Sequence, residues 1–150
     1  MTVNQRIIEL LDEQKIIYRS LEHAPTKTCA DAANIRGTTL EQGAKALVCI
    51  ADKKPVMIVL PCSQKLDTKT FKLAFKVKDL RFATPEEVTQ ITGLVIGSIP
   101  PFGSLFELPT YLNTALGKNT QIAFNAGDVS RSVIMNFADF VSLEHPQVFE

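Results

Sequence analysis

The chain is organised around the segment Gly93-Leu94-Val95-Ile96-Gly97-Ser98-Ile99-Pro100-Pro101-Phe102-Gly103. Its two adjacent prolines fix φ and lack amide hydrogens, so the segment continues neither a helix nor a strand. Glycine permits positive φ and lets the backbone approach a ligand closely. The sequence therefore predicts a stiff loop with exposed amides, which suits the binding of an oxyanion or a ribose phosphate. Taken alone, such a segment is more often a tight structural turn, so the interpretation depends on the rest of the chain.

Length and composition indicate an ordinary globular protein. A chain of 150 residues predicts one domain, over residues 1–150, with a core of normal size. Sixteen basic and sixteen acidic residues cancel, so any contact with nucleic acid must come from a local patch. No signal peptide follows Met1, and no apolar run approaches the roughly twenty residues of a membrane span. We therefore expect a cytoplasmic protein with no membrane association.

The three cysteines are odd in number and widely separated, and no C-x-x-C pair is present. This pattern predicts neither a zinc site nor a disulfide framework. Cys49 lies in an apolar run and is expected to be buried. Cys29 lies among polar residues, and a nucleophilic Cys29 with His23 as its base is the less favoured alternative, because proximity in sequence does not make a dyad.

Apolar periodicity and turn signals predict alternating helices and strands. Helices are predicted over residues 2–14, 28–37, 67–78, 84–92 and 137–141, with a short helical turn over 38–43. Strands are predicted over residues 16–21, 44–50, 56–60, 106–112, 122–125 and 132–135. Pro109 interrupts the fourth strand, which is therefore placed at a sheet edge. Two near-continuous apolar strands, 44–50 and 56–60, indicate a sheet covered on both faces.

Lysines provide the candidate anion-binding groups. Lys45 stands at the head of an apolar strand, where its ammonium must reach solvent, a carboxylate or a ligand phosphate. A lysine that merely extends to solvent from a strand end is the simpler alternative. Lys69, Lys72 and Lys76 fall on one face of the predicted 67–78 helix. That stripe either contacts phosphates or is a solvated face, and the second interpretation is favoured because exposed lysines are common.

No familiar catalytic motif is present: the sequence lacks G-x-S-x-G, H-E-x-x-H and G-x-x-x-x-G-K-[ST]. His23 ends a predicted strand and His145 precedes a proline, so a metal centre is not expected. An enzyme built on this chain would work by positioning and by backbone dipoles, without a metal or another cofactor.

Five stretches in order along almost the whole chain resemble the YbaK/ProX family, the aminoacyl-tRNA editing domains associated with prolyl-tRNA synthetase. They are Glu22-His23-Ala24-Pro25 with Thr28, Gly43-Ala44-Lys45-Ala46-Leu47-Val48, Lys65-Leu66-Asp67, Thr92-Gly93 through Gly103, and Asn125-Ala126-Gly127 leading to Ser132-Val133-Ile134-Met135. Each stretch is weak alone. The lysine-bearing strand together with the G-x-x-x-P loop from Gly97 to Pro101 is the specific combination.

The resemblance implies hydrolysis of the ester that joins a wrong amino acid to the terminal adenosine of a tRNA. It implies one compact α+β domain, a mixed and strongly bent β-sheet wrapped by helices. Lys45 would hold the adenosine phosphate, and the tRNA's own ribose hydroxyl would assist without a metal. The backbone groups that would orient the ester and the water belong to Gly97, Ser98, Ile99, Pro100 and Pro101. The implied substrate-binding residues are His23, Thr28, Cys29, Phe102, Gly103, Asn125, Gly127 and Ser132.

Some positions depart from the family pattern. Certain members carry an acidic residue where this chain has Tyr111-Leu112-Asn113, and others an acid or histidine where it has Ser130-Arg131-Ser132. The segment Thr28-Cys29-Ala30, which shapes the amino-acid pocket in relatives, also varies. These differences affect which amino acid is the substrate more than they affect the type of reaction.

The expected partners are the aminoacyl-tRNA acceptor end and a prolyl-tRNA synthetase, with the protein a monomer or a weak oligomer. The alternative is a non-catalytic module that uses the same cleft to bind tRNA ends or a nucleotide. Retention of both Lys45 and the Gly97–Pro101 loop favours the deacylase, because a preorganised backbone has a direct catalytic use.

Overall fold

The computed structural model describes all 150 residues of the chain. The helices are α1 (Val3–Glu13), α2 (Cys29–Arg36), α3 (Thr68–Phe75), α4 (Pro85–Thr92) and α5 (Phe137–Glu144). The strands are β1 (Tyr18–Glu22), β2 (Ala44–Ala51), β3 (Lys54–Pro61), β4 (Leu80–Phe82), β5 (Thr110–Asn113), β6 (Gln121–Asp128), β7 (Arg131–Asn136) and β8 (Gln147–Phe149). Two 3₁₀ helices span Gly103–Phe106 and Thr114–Lys118.

The strands form two sheets that meet at one point. The smaller sheet is antiparallel, in the order β1-β7-β6, and the larger has the order β4-β2-β3-β5-β8. Within the larger sheet, β3 pairs with β5 and β5 with β8 in parallel, while the other pairs are antiparallel. A bridge between Gly43 and Ala123 joins the sheets, and the Ala123 amide donates to the Gln42 carbonyl at 2.9 Å. The expected α+β architecture is confirmed, with the expected single sheet divided into two, of which the larger is mixed.

The larger sheet is buried on both faces, as its continuous apolar strands predict. Successive residues of β3 point to opposite faces. Met57 and Val59 therefore pack into the main core, whereas Ile58 and Leu60 pack into a second cluster. Phe71 of α3 closes that second cluster, with its ring centroid 5.1 Å from Tyr111 and 5.3 Å from Phe149.

Local capping chemistry sets three helix boundaries where the sequence predicts them. Thr2 caps α1 and Thr84 caps α4, each in a capping box in which the third helical residue returns a side-chain hydrogen bond to the backbone of the cap. Thr28 caps α2, which ends at Gly37 in the left-handed conformation, φ +71°.

Other boundaries differ from the sequence prediction. α3 ends at Phe75 because Lys76 takes a left-handed conformation, φ +56°, and the helical turn predicted over 38–43 is a non-helical turn. The edge position predicted from Pro109 is wrong, because β5 begins just after it and lies between β3 and β8. The Pro109 carbonyl accepts from the Met57 amide at 2.9 Å, a bond that needs no proline N–H.

None of the five helices combines the length and the apolar character needed to cross a bilayer.

Candidate active site

A cavity of about 410 Å³ opens between the start of α2, the start of β2, the 93–103 loop and β6. Its walls carry three basic side chains, Lys27, Arg36 and Lys45, and no acidic one. Of the residues that the sequence singles out, six line it: Thr28, Cys29, Lys45, Gly97, Ile99 and Asn125. The cavity therefore favours anionic or oxygen-rich ligands.

A larger cavity of about 720 Å³ lies at the opposite end of β2. Basic and acidic groups are mixed there, and its Arg81 is already paired with Glu87 through two bonds of 2.7 and 2.9 Å. Lys72 is the only predicted site residue that it contains. The smaller cavity is the better candidate because it collects the predicted residues and leaves its cations unpaired.

Lys45 lies on β2 opposite Leu60, half-buried, and forms no ion pair. Burial, and secondarily the charge of Lys65, lower its pKa. An ammonium held in this state has lost part of its hydration without gaining a carboxylate. It is therefore available to an anionic ligand in the cavity.

The 93–103 loop contains a tight turn that requires glycine. The Ser98 amide donates to the Val95 carbonyl at 3.2 Å, and Gly97 occupies the third turn position with φ +93°. Positive φ at that position alone defines a type II turn, for which glycine is strongly preferred. The expected stiff loop is thus a turn closed by a backbone bond and followed by the buried Pro100 and Pro101.

Strand β6 holds this loop by its carbonyl oxygens. Asn125 Nδ2 donates to the Gly97 carbonyl at 2.6 Å, and the Gly127 amide donates to the Ser98 carbonyl at 2.9 Å. In contrast, the amides of Gly97 and Ile99 donate to no acceptor in the protein. Both residues line the cavity, so these two amides are candidate donors to a ligand there, and the Gly97 and Ser98 carbonyls are already bonded to β6.

Several predicted residues lie outside the cavity and support it. Phe102 is fully buried in the main core, with its ring 5.7 Å from Phe124 and 5.2 Å from Phe140. Gly103 is buried where an added Cβ would collide with Thr110 Oγ1. The positions of Phe102 and Gly103 therefore do not favour direct contact with a substrate in the cavity.

Four further predicted residues do not line the cavity: Ser98, Gly127, His23 and Ser132. Ser98 Oγ donates to the Val95 carbonyl at 2.7 Å, and Gly127 packs against Val3 of α1. His23 Nε2 lies 2.7 Å from Ser132 Oγ, and Ser132 is fully buried. Their roles in substrate binding stay predictions.

The sequence reasoning missed Arg36, the last residue of α2, which connects these groups. Its Nε donates to Ser132 Oγ and its Nη2 to Asn125 Oδ1, both at 2.8 Å. Only 9% of its surface is exposed, and burial lowers its pKa to about 10. A basic residue just before a helix-ending glycine is an ordinary helix terminus, so the sequence offered no signal for this role.

A disulfide between Cys29 and Cys62 corrects two expectations. It joins the start of α2 to the turn after β3 at the cavity wall, with the Cα atoms 5.8 Å apart. The sequence argued against a disulfide, and its less favoured alternative made Cys29 a free nucleophile. The 33-residue separation concealed the contact, which exists only once the start of α2 lies against the turn after β3. Cys49 is free and buried as predicted, and burial raises its pKa to about 12.

The lysine stripe lies away from the cavity. Lys69 and Lys76 are exposed, Lys72 is half-buried, and none of the three pairs with an acid. A contact with the tRNA backbone stays a prediction. No group of three or more His, Cys, Asp or Glu side chains is arranged to hold a metal ion.

Comparison with known proteins gives concordant matches. Residues 23–143 match the family described as the aminoacyl-tRNA editing domain. The multifunctional Ser/Thr-tRNA deacylase ProXp-y of Escherichia coli strain K12 is 36% identical over 97% of this chain and 90% of its own length. The prolyl-tRNA editing protein ProX of Acetoanaerobium sticklandii is 26% identical over 93% and 88%. A crystal structure of a candidate trans-editing enzyme for prolyl-tRNA synthetase superposes with a TM-score of 0.87 at 25% identity, covering 100% of this chain and 96% of that one.

Proposed function

The chain belongs to the aminoacyl-tRNA editing domain family, and we propose from this premise how its cavity performs the hydrolysis. The protein is an aminoacyl-tRNA deacylase: it cleaves the ester of a mischarged tRNA and acts in trans on the released aminoacyl-tRNA. Water adds to the ester carbonyl carbon, the bond to the ribose oxygen breaks, and amino acid and tRNA leave. An activated ester needs mainly alignment and charge stabilisation.

Lys45 anchors the substrate. Its unpaired, half-buried ammonium is a point charge that binds a phosphate without demanding a particular geometry. The phosphate of the terminal adenosine is the anion that the substrate brings to this cavity. This contact fixes where the ribose and its ester lie relative to the loop.

The observation that carries the mechanism is the pair of unused backbone donors at Gly97 and Ile99. The carbonyl oxygen of the ester gains negative charge as water adds, and fixed N–H groups stabilise that charge without reorganising. Asn125 and Gly127 hold the loop carbonyls, so the donors stay in place. The reaction is thus assigned to backbone geometry and not to a side-chain nucleophile.

The amino acids removed are serine and threonine. A relative that is 36% identical over 97% of this chain is a Ser/Thr-tRNA deacylase, and the likeness covers 90% of that relative's own length. A further structural relative is described as serving prolyl-tRNA synthetase. The protein is accordingly assigned to removing wrong amino acids from tRNAs that prolyl-tRNA synthetase or another aminoacyl-tRNA synthetase has released.

The test is release of amino acid from a panel of tRNAs charged with serine, threonine, alanine, valine, cysteine or proline. We expect release of serine and threonine well above spontaneous hydrolysis, and none from correctly charged prolyl-tRNA. Tight tRNA binding with no release of any amino acid would instead support the non-catalytic module. If the protein neither binds tRNA nor releases an amino acid, the assignment is overturned.

A further inference from the structure

Arg36 has a donor that the protein leaves unused. Two of its five N–H groups have acceptors: Nε donates to Ser132 Oγ and one N–H of Nη2 donates to Asn125 Oδ1, whereas Nη1 has none. Thr38 Oγ1 is the only fully buried side-chain nitrogen or oxygen without a partner, so Nη1 keeps access to open space. Arg36 is 9% exposed and lines the cavity, which is the open space beside it that a ligand can occupy.

The charge of this guanidinium is also uncompensated. Its two partners are a hydroxyl and an amide, and the salt bridges in the structure involve other residues. Burying a cation without a carboxylate is costly, as the lowering of its pKa to about 10 by burial reflects. An oxygen acceptor bound at Nη1 would recover part of that cost through a charge-assisted hydrogen bond.

The geometry of an aminoacyl-tRNA decides which oxygen reaches Arg36. The polynucleotide must leave the protein through the mouth of the cavity, so its phosphate belongs near the half-buried Lys45. The amino acid is the far end of the substrate and is the small group that enters toward a buried residue. Its α-ammonium is repelled by a guanidinium, which leaves an oxygen of the side chain as the acceptor.

We propose that Arg36 is a specificity-determining residue whose Nη1 donates to the side-chain hydroxyl of serine or threonine in the cavity. This inference rests on the proposed function and names the contact that selects its substrates. Valine has the shape of threonine without the hydroxyl and would leave the buried donor unpaired. Sites built to hydrogen-bond a substrate hydroxyl discriminate strongly against analogues that lack it.

The experiment compares hydrolysis of threonyl- and valyl-esters of one tRNA under single-turnover conditions. The wild-type protein is expected to favour threonine, and Arg36→Met to lower the threonine-to-valine rate ratio by about 10- to 100-fold. Arg19→Met should keep the wild-type ratio, because Arg19 is exposed on β1 and its side chain forms no hydrogen bond or ion pair. Because both rates come from one sample, any inactive fraction cancels from the ratio. Arg36→Lys, which keeps a charged donor, should restore part of the preference.

A binding measurement separates failure of this inference from failure of the proposed function. The dissociation constants of non-hydrolysable amide-linked threonyl- and valyl-adenosine are measured for the same variants. A ratio that changes with Arg36→Met supports the inference even if the protein releases no amino acid. The inference is overturned if the wild-type threonine-to-valine ratio is near one. It is also overturned if Arg36→Met leaves that ratio unchanged, losing rate or affinity equally on both substrates. An equal loss on the threonyl and valyl substrates would mean that Arg36 contacts the ester carbonyl or only supports the fold.

Discussion

The side-chain amide of Asn125 donates a hydrogen bond of 2.6 Å to the carbonyl oxygen of Gly97. The oxygen of the same amide accepts from Arg36 Nη2 at 2.8 Å, and this bond fixes which end of the amide faces the loop. One side chain on β6 therefore links a buried cation to the turn that presents the free amides. The 93–103 loop is therefore positioned by the smaller sheet.

Replacing Asn125 by aspartate tests this link, because the change removes the donor and keeps the shape. The carboxylate still accepts from Arg36 but repels the Gly97 carbonyl, so the loop shifts. We expect single-turnover deacylation to fall on the order of 100-fold, as for other small displacements of positioning groups. Asn113→Asp is the matched control, since Asn113 acts only as an acceptor, from the Ala115 amide. Equal rates in the two variants would show that the link is unimportant.

The second prediction separates backbone from side-chain catalysis at the turn. Gly97→Val should lose on the order of 100-fold or more in rate, because a β-branched residue resists φ of +93° and the turn changes. A Cβ at Gly97 would meet no protein atom within 4 Å, so the effect is conformational and not steric. Ser98→Ala should keep most of the activity, since its hydroxyl bonds only to the Val95 carbonyl. Collapse of activity in Ser98→Ala with Gly97→Val near normal would refute the backbone mechanism.

Features governed by neighbouring residues could be predicted from the sequence. The starts of α1 and α4 at the caps Thr2 and Thr84, and the glycine end of α2, depend on side chains within a few residues, and these boundaries lie where predicted. Lys45 and the Gly97 turn could be found because a charge on an apolar strand and a cluster of glycines and prolines are visible in a short stretch of sequence.

Features created by distant contacts could not be predicted. β4 and β8 have three residues each, too few to show a period, and exist because β2 and β5 offer them edges. The Cys29–Cys62 bond and the environment of Arg36 arise when the start of α2 meets the turn after β3 and its end meets β6 and β7. A single sequence contains no marker that distinguishes Arg36 from a solvated helix end.

The disulfide supplies the third prediction. Closing a loop of 33 residues is expected to stabilise the oxidised protein by about 2–4 kcal/mol relative to Cys62→Ala, chiefly by restricting the unfolded chain. Urea unfolding under oxidising conditions measures this difference. With a reductant present, wild type and Cys62→Ala should have nearly the same unfolding free energy, which serves as the control. No difference under oxidising conditions would mean that the bond does not form in solution.

The fourth prediction concerns pH and Lys45. Burial and the charge of Lys65 lower the pKa of Lys45, so its positive charge is lost at a lower pH than in a free lysine. Binding of adenosine 5′-monophosphate should therefore weaken as pH rises through this lowered pKa. Lys65→Met removes a repelling charge, raises the pKa of Lys45, and should move the alkaline limb to higher pH. In Lys45→Met the part of the limb that shifts with Lys65→Met should vanish, and an alkaline limb that remains belongs to Arg36, whose pKa burial lowers to about 10.

The most direct test of the account is single-turnover release of threonine from threonyl-tRNA by the wild-type protein and by Lys45→Ala. We predict that the wild type exceeds spontaneous hydrolysis and that folded Lys45→Ala is slower by about 100-fold or more, as expected for loss of a charged contact. Circular dichroism establishes that the variant is folded. Full activity of Lys45→Ala at every salt concentration would contradict the assigned anchor, and no release by the wild type from any mischarged tRNA would contradict the deacylase itself.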